Sequence, residues 1–284
     1  MSAFPPPMLD VETAVRAALA EDFGRAGDIT SAATIPAGRM ATAILSSREA
    51  GVLCGLPFAQ AAFRLVDPEI RFEAELADGA KLRRGSVVAR VSGPALGVLS
   101  GERVALNYLM HLSGIATATA AFVAKVRGTR ARIADTRKTV PGMRAFAKYA
   151  VRCGGGVNHR FGLDDAILIK DNHIAVAGGV AGAVHAARST AGHLVKVEVE
   201  VTSLAEFDEA LAAGPDVILL DNMDPDTMRE AVARNAGRAV LEASGGVSLS
   251  SVAAIAATGV DIISTSKITL SAAALDLGLD VVVG

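Results

Sequence analysis

The sequence predicts an α/β protein in two parts: an N-terminal α+β sandwich domain and a partial α/β barrel of six to seven strands. Three observations carry this reading. Short apolar runs, each followed by a helical stretch, recur at 131–134, 166–169, 195–199, 217–220, 239–243 and 261–263. The last four begin at 195, 217, 239 and 261, a constant step of 22 residues, which is the rhythm of βα units in a parallel sheet or barrel. The residues before 131 lack that step. Six units fall short of the eight of a closed barrel, so a reduced one is expected. The expected boundaries are 1–115 for the sandwich domain, joined by 270–284, and 116–269 for the barrel.

Along the chain, Asp10 is placed to cap a helix over 11–20, with Val11, Ala14, Val15 and Ala18 on one face. Residues 41–48 and 51–56 read as strands, and 58–66 as a short apolar helix. Two more strands, 70–76 and 87–91, are separated by the turn signals Asp78-Gly79 and Arg84-Gly85. The stretch 98–126 is long and helical, with a break expected at Ser113-Gly114. After the six βα units, the apolar 275–283 is expected to return to the first domain.

Composition excludes several classes. With 284 residues, 51% hydrophobic and 20% charged, the chain is not a disordered one. Lys+Arg 28 against Asp+Glu 30 gives a net charge of -2, which argues against a general polyanion binder. Aromatics at 4%, with no Trp, argue against base stacking, so no nucleic-acid partner is expected. Cys54 and Cys153 form no CxxC pair, so a reducing compartment without a disulfide framework is expected. The start MSAFPPPMLD has no basic region followed by an apolar run, and no stretch reaches the ~18 apolar residues of a membrane span. The expectation is a cytoplasmic protein with no membrane partner.

In a βα barrel the chemistry sits at the carboxyl ends of the strands. Those ends carry Asp135-Thr136-Arg137-Lys138, Lys170-Asp171-Asn172-His173, Glu198 and Glu200, Asp221-Asn222, Ser244-Gly245-Gly246, and Ser264-Thr265-Ser266-Lys267. Polar residues also simply mark strand ends, but six such ends on one rim suggest a site. Charge is uneven too. From 137 to 170 there are seven Lys and Arg against Asp164 and Asp165, a net +5, while the rest of the chain carries -7. Such an island suggests a small, multiply charged anion. Arg144, Lys148 and Arg152, at i,i+4 spacing, fit a solvated helix face equally well. The triple glycine 154–156 lets backbone approach a ligand closely. The Ser244-Gly245-Gly246 turn, placed between strand and helix, suits a phosphate at a helix N-terminus. Glu200 and Asp221 share the rim with the cations and suit a divalent metal or sugar hydroxyls; ion pairing is the other reading. His159 and His173 lack metal-ligand spacing, so no zinc site is expected.

Six blocks compose a pattern: GERVALNYLMHLSGIAT (101–117), DTRKTVPGMRAFAKYAV (135–151), GGGVNHRFGLDDAILIKDNH (154–173), VEVEV (197–201), LDNM (220–223) and LEASGGV (241–247). With EDFGRAGDIT (21–30), they resemble the quinolinate phosphoribosyltransferase family across nearly the whole chain. The resemblance implies a sandwich domain, a partial barrel, and a homodimer, or a hexamer built from it, with shared active sites. It implies that quinolinate and phosphoribosyl pyrophosphate, with Mg²⁺, give nicotinate mononucleotide, pyrophosphate and CO₂ in NAD biosynthesis. By motif match, Arg103, Arg137, His159, Arg160 and Lys170 would hold the quinolinate carboxylates, with Arg103 entering from the partner subunit. Lys138 would contact quinolinate or the pyrophosphate. Glu200 and Asp221 would serve the ribose hydroxyls and Mg²⁺. Thr136, Ser244, Gly245, Gly246, Ser264 and Thr265 would bind the cosubstrate, with Ser244, Gly245 and Ser264 cradling its 5′-phosphate. The chain departs from many members at Ser266-Lys267, where they have glycine two residues after the matching serine.

Three other readings stay open on the residues alone. One is a paralogue using the scaffold on another anionic acceptor. A second is a Schiff-base enzyme using Lys138 or Lys170. A third is a non-catalytic sugar-phosphate sensor, which would leave Glu200 and Asp221 without a purpose.

Overall fold

The structure, a computed structural model, describes residues 4–282. In chain order its elements are α1 (Met8–Phe23), α2 (Ile29–Thr34), β1 (Met40–Ser47), β2 (Gly51–Val52), α3 (Leu56–Val66), β3 (Arg71–Ala74), β4 (Lys81–Leu82), β5 (Val87–Pro94), α4 (Ala95–Lys125), β6 (Arg132–Ala134) and α5 (Arg144–Cys153). They continue with β7 (Ile167–Ile169), α6 (Asp171–Ala177), α7 (Val180–Thr190), β8 (Val197–Val201), α8 (Leu204–Ala213), β9 (Val217–Asp221), α9 (Pro225–Asn235), β10 (Val240–Ser244), α10 (Val252–Ala256), β11 (Ile262–Ser264) and β12 (Leu277–Val282). The chain divides into two compact units. Among the described residues, one holds 4–118, 145–155 and 272–282; the other holds 119–144 and 156–271.

The first unit rests on an antiparallel sheet in the order β12-β1-β5-β3. β1 alternates, burying Ala43, Leu45 and Ser47, as a strand with one covered face must. β12 pairs with β1 from Thr42↔Val282 to Ser47↔Leu277, so the apolar C-terminal segment does return to this unit. α1 buries Val11, Val15 and Leu19, an i,i+4 stripe. It starts at Met8 behind Pro7, and no side chain caps it; Asp10 sits in its first turn instead. Phe58 on α3 anchors the core. It stacks on Tyr108 at 4.8 Å and meets the edge of Phe146 at 4.7 Å. Burying each such ring contributes roughly 1.5–3 kcal/mol.

Two expectations change here. α4 runs unbroken through Ser113-Gly114. A Cβ on Gly114 would lie 2.1 Å from the Ala273 carbonyl oxygen, so this glycine serves a close backbone crossing, not a helix end. The second change concerns α5, which falls within the expected barrel segment 116–269 but packs with the first unit. Phe146 faces Phe58, and Tyr149 donates to Asp78 at 2.7 Å. Lys148 is buried, so Arg144, Lys148 and Arg152 do not form a solvated face. Cys54 and Cys153 are free thiols; burial first, and then contact with Cys153, pushes the Cys54 thiol well up.

The second unit is a six-stranded parallel sheet in the order β6-β11-β10-β9-β8-β7. β6 and β7 are consecutive strands in this sheet yet hold its two edges, so pairing among the described residues leaves the barrel partial, as expected. Helices alternate with the strands. Ser203 caps α8 by accepting from Glu206 N–H, and Asp224 caps α9 with Pro225 in its first turn. Among the described residues no helix is long and apolar enough to cross a membrane.

Candidate active site

Strand register builds one face. Glu200 stands opposite Leu219, Leu219 opposite Glu242, and Asp221 opposite Ser244, while Glu242 stands opposite Ile262 on the other side. Side chains two residues apart share a face. That places Glu198 with Glu200, Leu219 with Asp221, Glu242 with Ser244, and Ser264 in line with them. A cavity of about 690 Å³ opens over this face.

The cavity is lined by the expected cations Arg137, Lys138, Arg160 and Lys170, by His159, by the acids Glu200 and Asp221, and by Thr136, Ser244, Gly245, Gly246 and Ser264. Two expected residues lie elsewhere. Thr265 is buried and not part of the lining; its hydroxyl accepts from Lys267 N–H at 3.2 Å and so caps the turn over Ser266–Ile268. Arg103 belongs to the first unit, where its side chain is 58% exposed beside Glu102.

The elements that carry these cations are held from behind. Arg144 donates to the carbonyls of Arg137 and Phe161 at 3.3 and 3.2 Å, and so fixes the loops carrying Arg137 and Arg160. Arg160 donates to the Ala166 carbonyl at 3.1 Å. Burial, and then the repulsion of Arg137, lowers its pKa; Glu198 and Asp165 oppose this. The Nε atoms of Arg137 and Arg160 are buried without a hydrogen-bond partner. Unmet donors on two adjacent guanidiniums mark a place for an anion. Lys170 is paired with Glu200. His173 is used locally, its Nδ1 accepting from Lys170 N–H at 2.9 Å.

The glycine turn differs from its expected setting. α10 starts only at Val252, because Ser248 and Ser251 bond to each other and to the local backbone. Ser244-Gly245-Gly246 is therefore not at a helix N-terminus. It packs on Asn222 instead: a Cβ on Gly245, at φ +91°, would lie 2.2 Å from Asn222 Oδ1. Asn222 N–H donates to the Ser244 carbonyl, and its side chain donates to Asp221 at 2.7 Å.

Glu242, Leu168 and Leu219 also line the cavity, though nothing in the strand-end pattern marks them; Asn222, named there only as the neighbour of Asp221, joins them. The signal for Glu242 was its place two residues before Ser244 on one strand. Its carboxyl is pushed up to about 7, first by burial and then by Glu198. His159, Glu198 and Glu242 each bring one donor atom within 4.8 Å of the others. His159 Nδ1 accepts from Arg160 N–H at 2.8 Å, so Nε2 carries the proton that faces Glu198 at 3.1 Å. These three side chains form one hydrogen-bonded charge cluster. Asp135, fully buried, accepts from the His159 N–H at 2.9 Å and from the Asn158 side chain at 2.5 Å.

Two family models match: the N-terminal domain of quinolinate phosphoribosyl transferase over residues 28–113 and its C-terminal domain over 115–280. A nicotinate-nucleotide pyrophosphorylase (carboxylating) of Mycobacterium leprae is 47% identical over 94% of this chain and 95% of its own. A probable nicotinate-nucleotide pyrophosphorylase (carboxylating) of Bacillus subtilis is 44% identical over 92% of this chain and 90% of its own. A solved nicotinate-nucleotide pyrophosphorylase from Francisella tularensis superposes with a TM-score of 0.95 at 40% identity, covering 99% of each chain.

Proposed function

The chain belongs to the quinolinate phosphoribosyltransferase family, and on that premise we propose that its cavity joins quinolinate to phosphoribosyl pyrophosphate with loss of CO₂. The product is nicotinate mononucleotide, a step of NAD biosynthesis. The observation that carries this is the pair Arg137 and Arg160, each with a buried, unpartnered Nε, beside Lys138 and Lys170 in one cavity. A pyridine carrying two carboxylates supplies two anions for these cations.

The bond changes are as follows. The quinolinate ring nitrogen forms a bond to ribose C1′ as the C1′–O bond to pyrophosphate breaks. Positive charge builds on the ribose, and Glu200 and Asp221 oppose it electrostatically. The ring nitrogen is then cationic, so when the C2–carboxylate bond breaks, its electron pair stays on C2 beside a positive charge. CO₂ leaves, and C2 takes a proton. Arg137 and Arg160 orient the carboxylates for this step and exclude water from them. Ser244, Gly245, Gly246 and Ser264 receive the 5′-phosphate. Glu200 and Asp221 are oxygen donors on one lining, a set that fits Mg²⁺. They would hold the ion, which supplies charge neutralisation for the departing pyrophosphate.

In this reading the working unit is a homodimer, or a hexamer built from it, in the cytoplasm. Arg103 completes the partner's acceptor site. The test is direct: purified protein with quinolinate, phosphoribosyl pyrophosphate and Mg²⁺ forms nicotinate mononucleotide and releases CO₂. Nicotinic acid, with one carboxylate, leaves cations unpaired and is expected to react at least ~100-fold less efficiently. Equal efficiency on nicotinic acid would overturn the assignment of the acceptor.

A further inference from the structure

Behind the acceptor cations lies a group that the reaction above does not use. Glu198 on β8 and Glu242 on β10 are 7% and 4% exposed. Both face the proton on His159 Nε2, Glu198 at 3.1 Å and Glu242 at 3.6 Å. Arg160 N–H holds the imidazole at its Nδ1, and Asp135 holds the His159 backbone N–H. One proton cannot satisfy two carboxylates. The Oε1 atom of each is buried without a hydrogen-bond partner, which is costly for an ionised pair. The groups that face Glu242 are Glu198 from β8, Asp135 after β6, His159 from the loop before β7, and Ser264 on β11. Arg160 feels the charge of both Arg137 and Glu198, so charge in this cluster reaches the acceptor cations.

We infer that Glu242 is a positioning residue for the acceptor: it carries a proton when the dianion is bound, and its charge state sets how strongly Arg137 and Arg160 hold that dianion. The inference rests on the reading that the cavity takes quinolinate. An ionised Glu242 adds a second buried negative charge beside Glu198, the acid that acts on Arg160, and so repels the incoming carboxylates. A protonated Glu242 does not. Its free carboxyl, already pushed up to about 7, is raised further by an incoming dianion, since like charge disfavours ionisation. Binding therefore takes up protons, and affinity falls as pH climbs through neutrality. Each unit by which binding raises this pKa weakens binding about tenfold at the alkaline limit.

The experiment is calorimetric titration of the full chain with quinolinate, a dianion throughout, between about pH 6 and 9 in buffers of differing ionisation heat. The wild type is expected to take up a fraction of a proton per site near neutrality, and Glu242→Gln none. Infrared difference spectra of the wild type alone provide a second reading. Adding quinolinate at about pH 7.5 should increase the carbonyl band of a protonated carboxyl group. That measurement decides the matter if Glu242→Gln does not fold. Equal proton uptake in wild type and variant, pH-independent binding by the wild type, or no such infrared band would overturn the inference while leaving the functional reading intact. Failure of quinolinate to bind the wild type at any pH would remove that reading, and the inference with it.

Discussion

Replacing Glu242 by glutamine keeps the shape of the side chain and removes its titration. In the folded protein this carboxyl is raised from 4.5 to about 7, chiefly by burial and then by Glu198. The unfolded chain ionises freely above its ordinary value. Between those two pH values the folded state binds more protons, so the group's stabilising contribution is complete below about 4.5 and is lost as pH rises through 7. One unit is worth 1.36 kcal/mol, so the loss amounts to about 3 kcal/mol. Glutamine does not incur it. Any cost from poorer packing or a weaker contact with His159 is the same at every pH and cancels in the comparison. Part of that loss falls below pH 5, so the stability of Glu242→Gln relative to wild type should improve by about 2.5 kcal/mol from pH 5 to pH 8. At roughly 2–4 °C per kcal/mol, the difference in Tm should move in favour of the variant by about 5–10 °C. Thermal unfolding of both proteins by circular dichroism across that range reads it. Glu198→Gln, which removes the second cause, should reduce the pH dependence of the wild type without abolishing it. A difference in Tm that is flat from pH 5 to 8 would refute the reasoning.

Other positions give sharper tests of the chemistry. Arg137→Lys retains the charge but loses the bidentate grip on a carboxylate, so kcat/KM for quinolinate should fall at least ~10-fold, about 1.4 kcal/mol, with an unchanged circular dichroism spectrum; near-wild-type kinetics would make Arg137 a bystander. Gly245→Ala places a Cβ 2.2 Å from Asn222 Oδ1 at φ +91°; KM for phosphoribosyl pyrophosphate should rise at least ~10-fold while quinolinate binding holds, and an unchanged KM would remove the turn from the phosphate site. Arg103→Ala and Lys170→Ala should each be inactive alone. Mixed under subunit exchange they should regain activity in about a quarter of sites, because half the dimers are mixed and one site of each is intact; no recovery after verified exchange would confine Arg103 to its own chain.

The parts of the fold that were legible in the sequence are those written in a period. The 22-residue step between apolar runs marks β8 to β11 because each βα unit repeats one geometry. The return of 277–282 to the first sheet was legible because an apolar tail needs a covered face. Backbone crossings leave no such trace. Gly114 looks like a helix break in sequence, since only the carbonyl of Ala273 shows why a Cβ is excluded. α5 reads as one more barrel helix for the same reason. Its partner Phe58 is nearly ninety residues away, and no local pattern announces that contact.

The site shows the same division. Arg137, Lys138, Arg160 and Lys170 stand out because cations concentrated near strand ends have few structural reasons to be there. The acids with partners behind them are harder to see. Glu198 is visible only as one more polar residue beside Glu200, and Glu242, between Leu241 and Ala243, looks like an isolated exception. Register changes that reading. Glu242 falls on the same face as Ser244, and Glu198 on the same face as Glu200, because alternation along a strand is fixed at two. Two acids that are separate irregularities in sequence thus become one buried pair around His159. The cations at strand ends imply the charge of a ligand, whereas this pair behind them acts on how tightly the charge is held. That second property depends on distance between strands, and so required the structure to be seen.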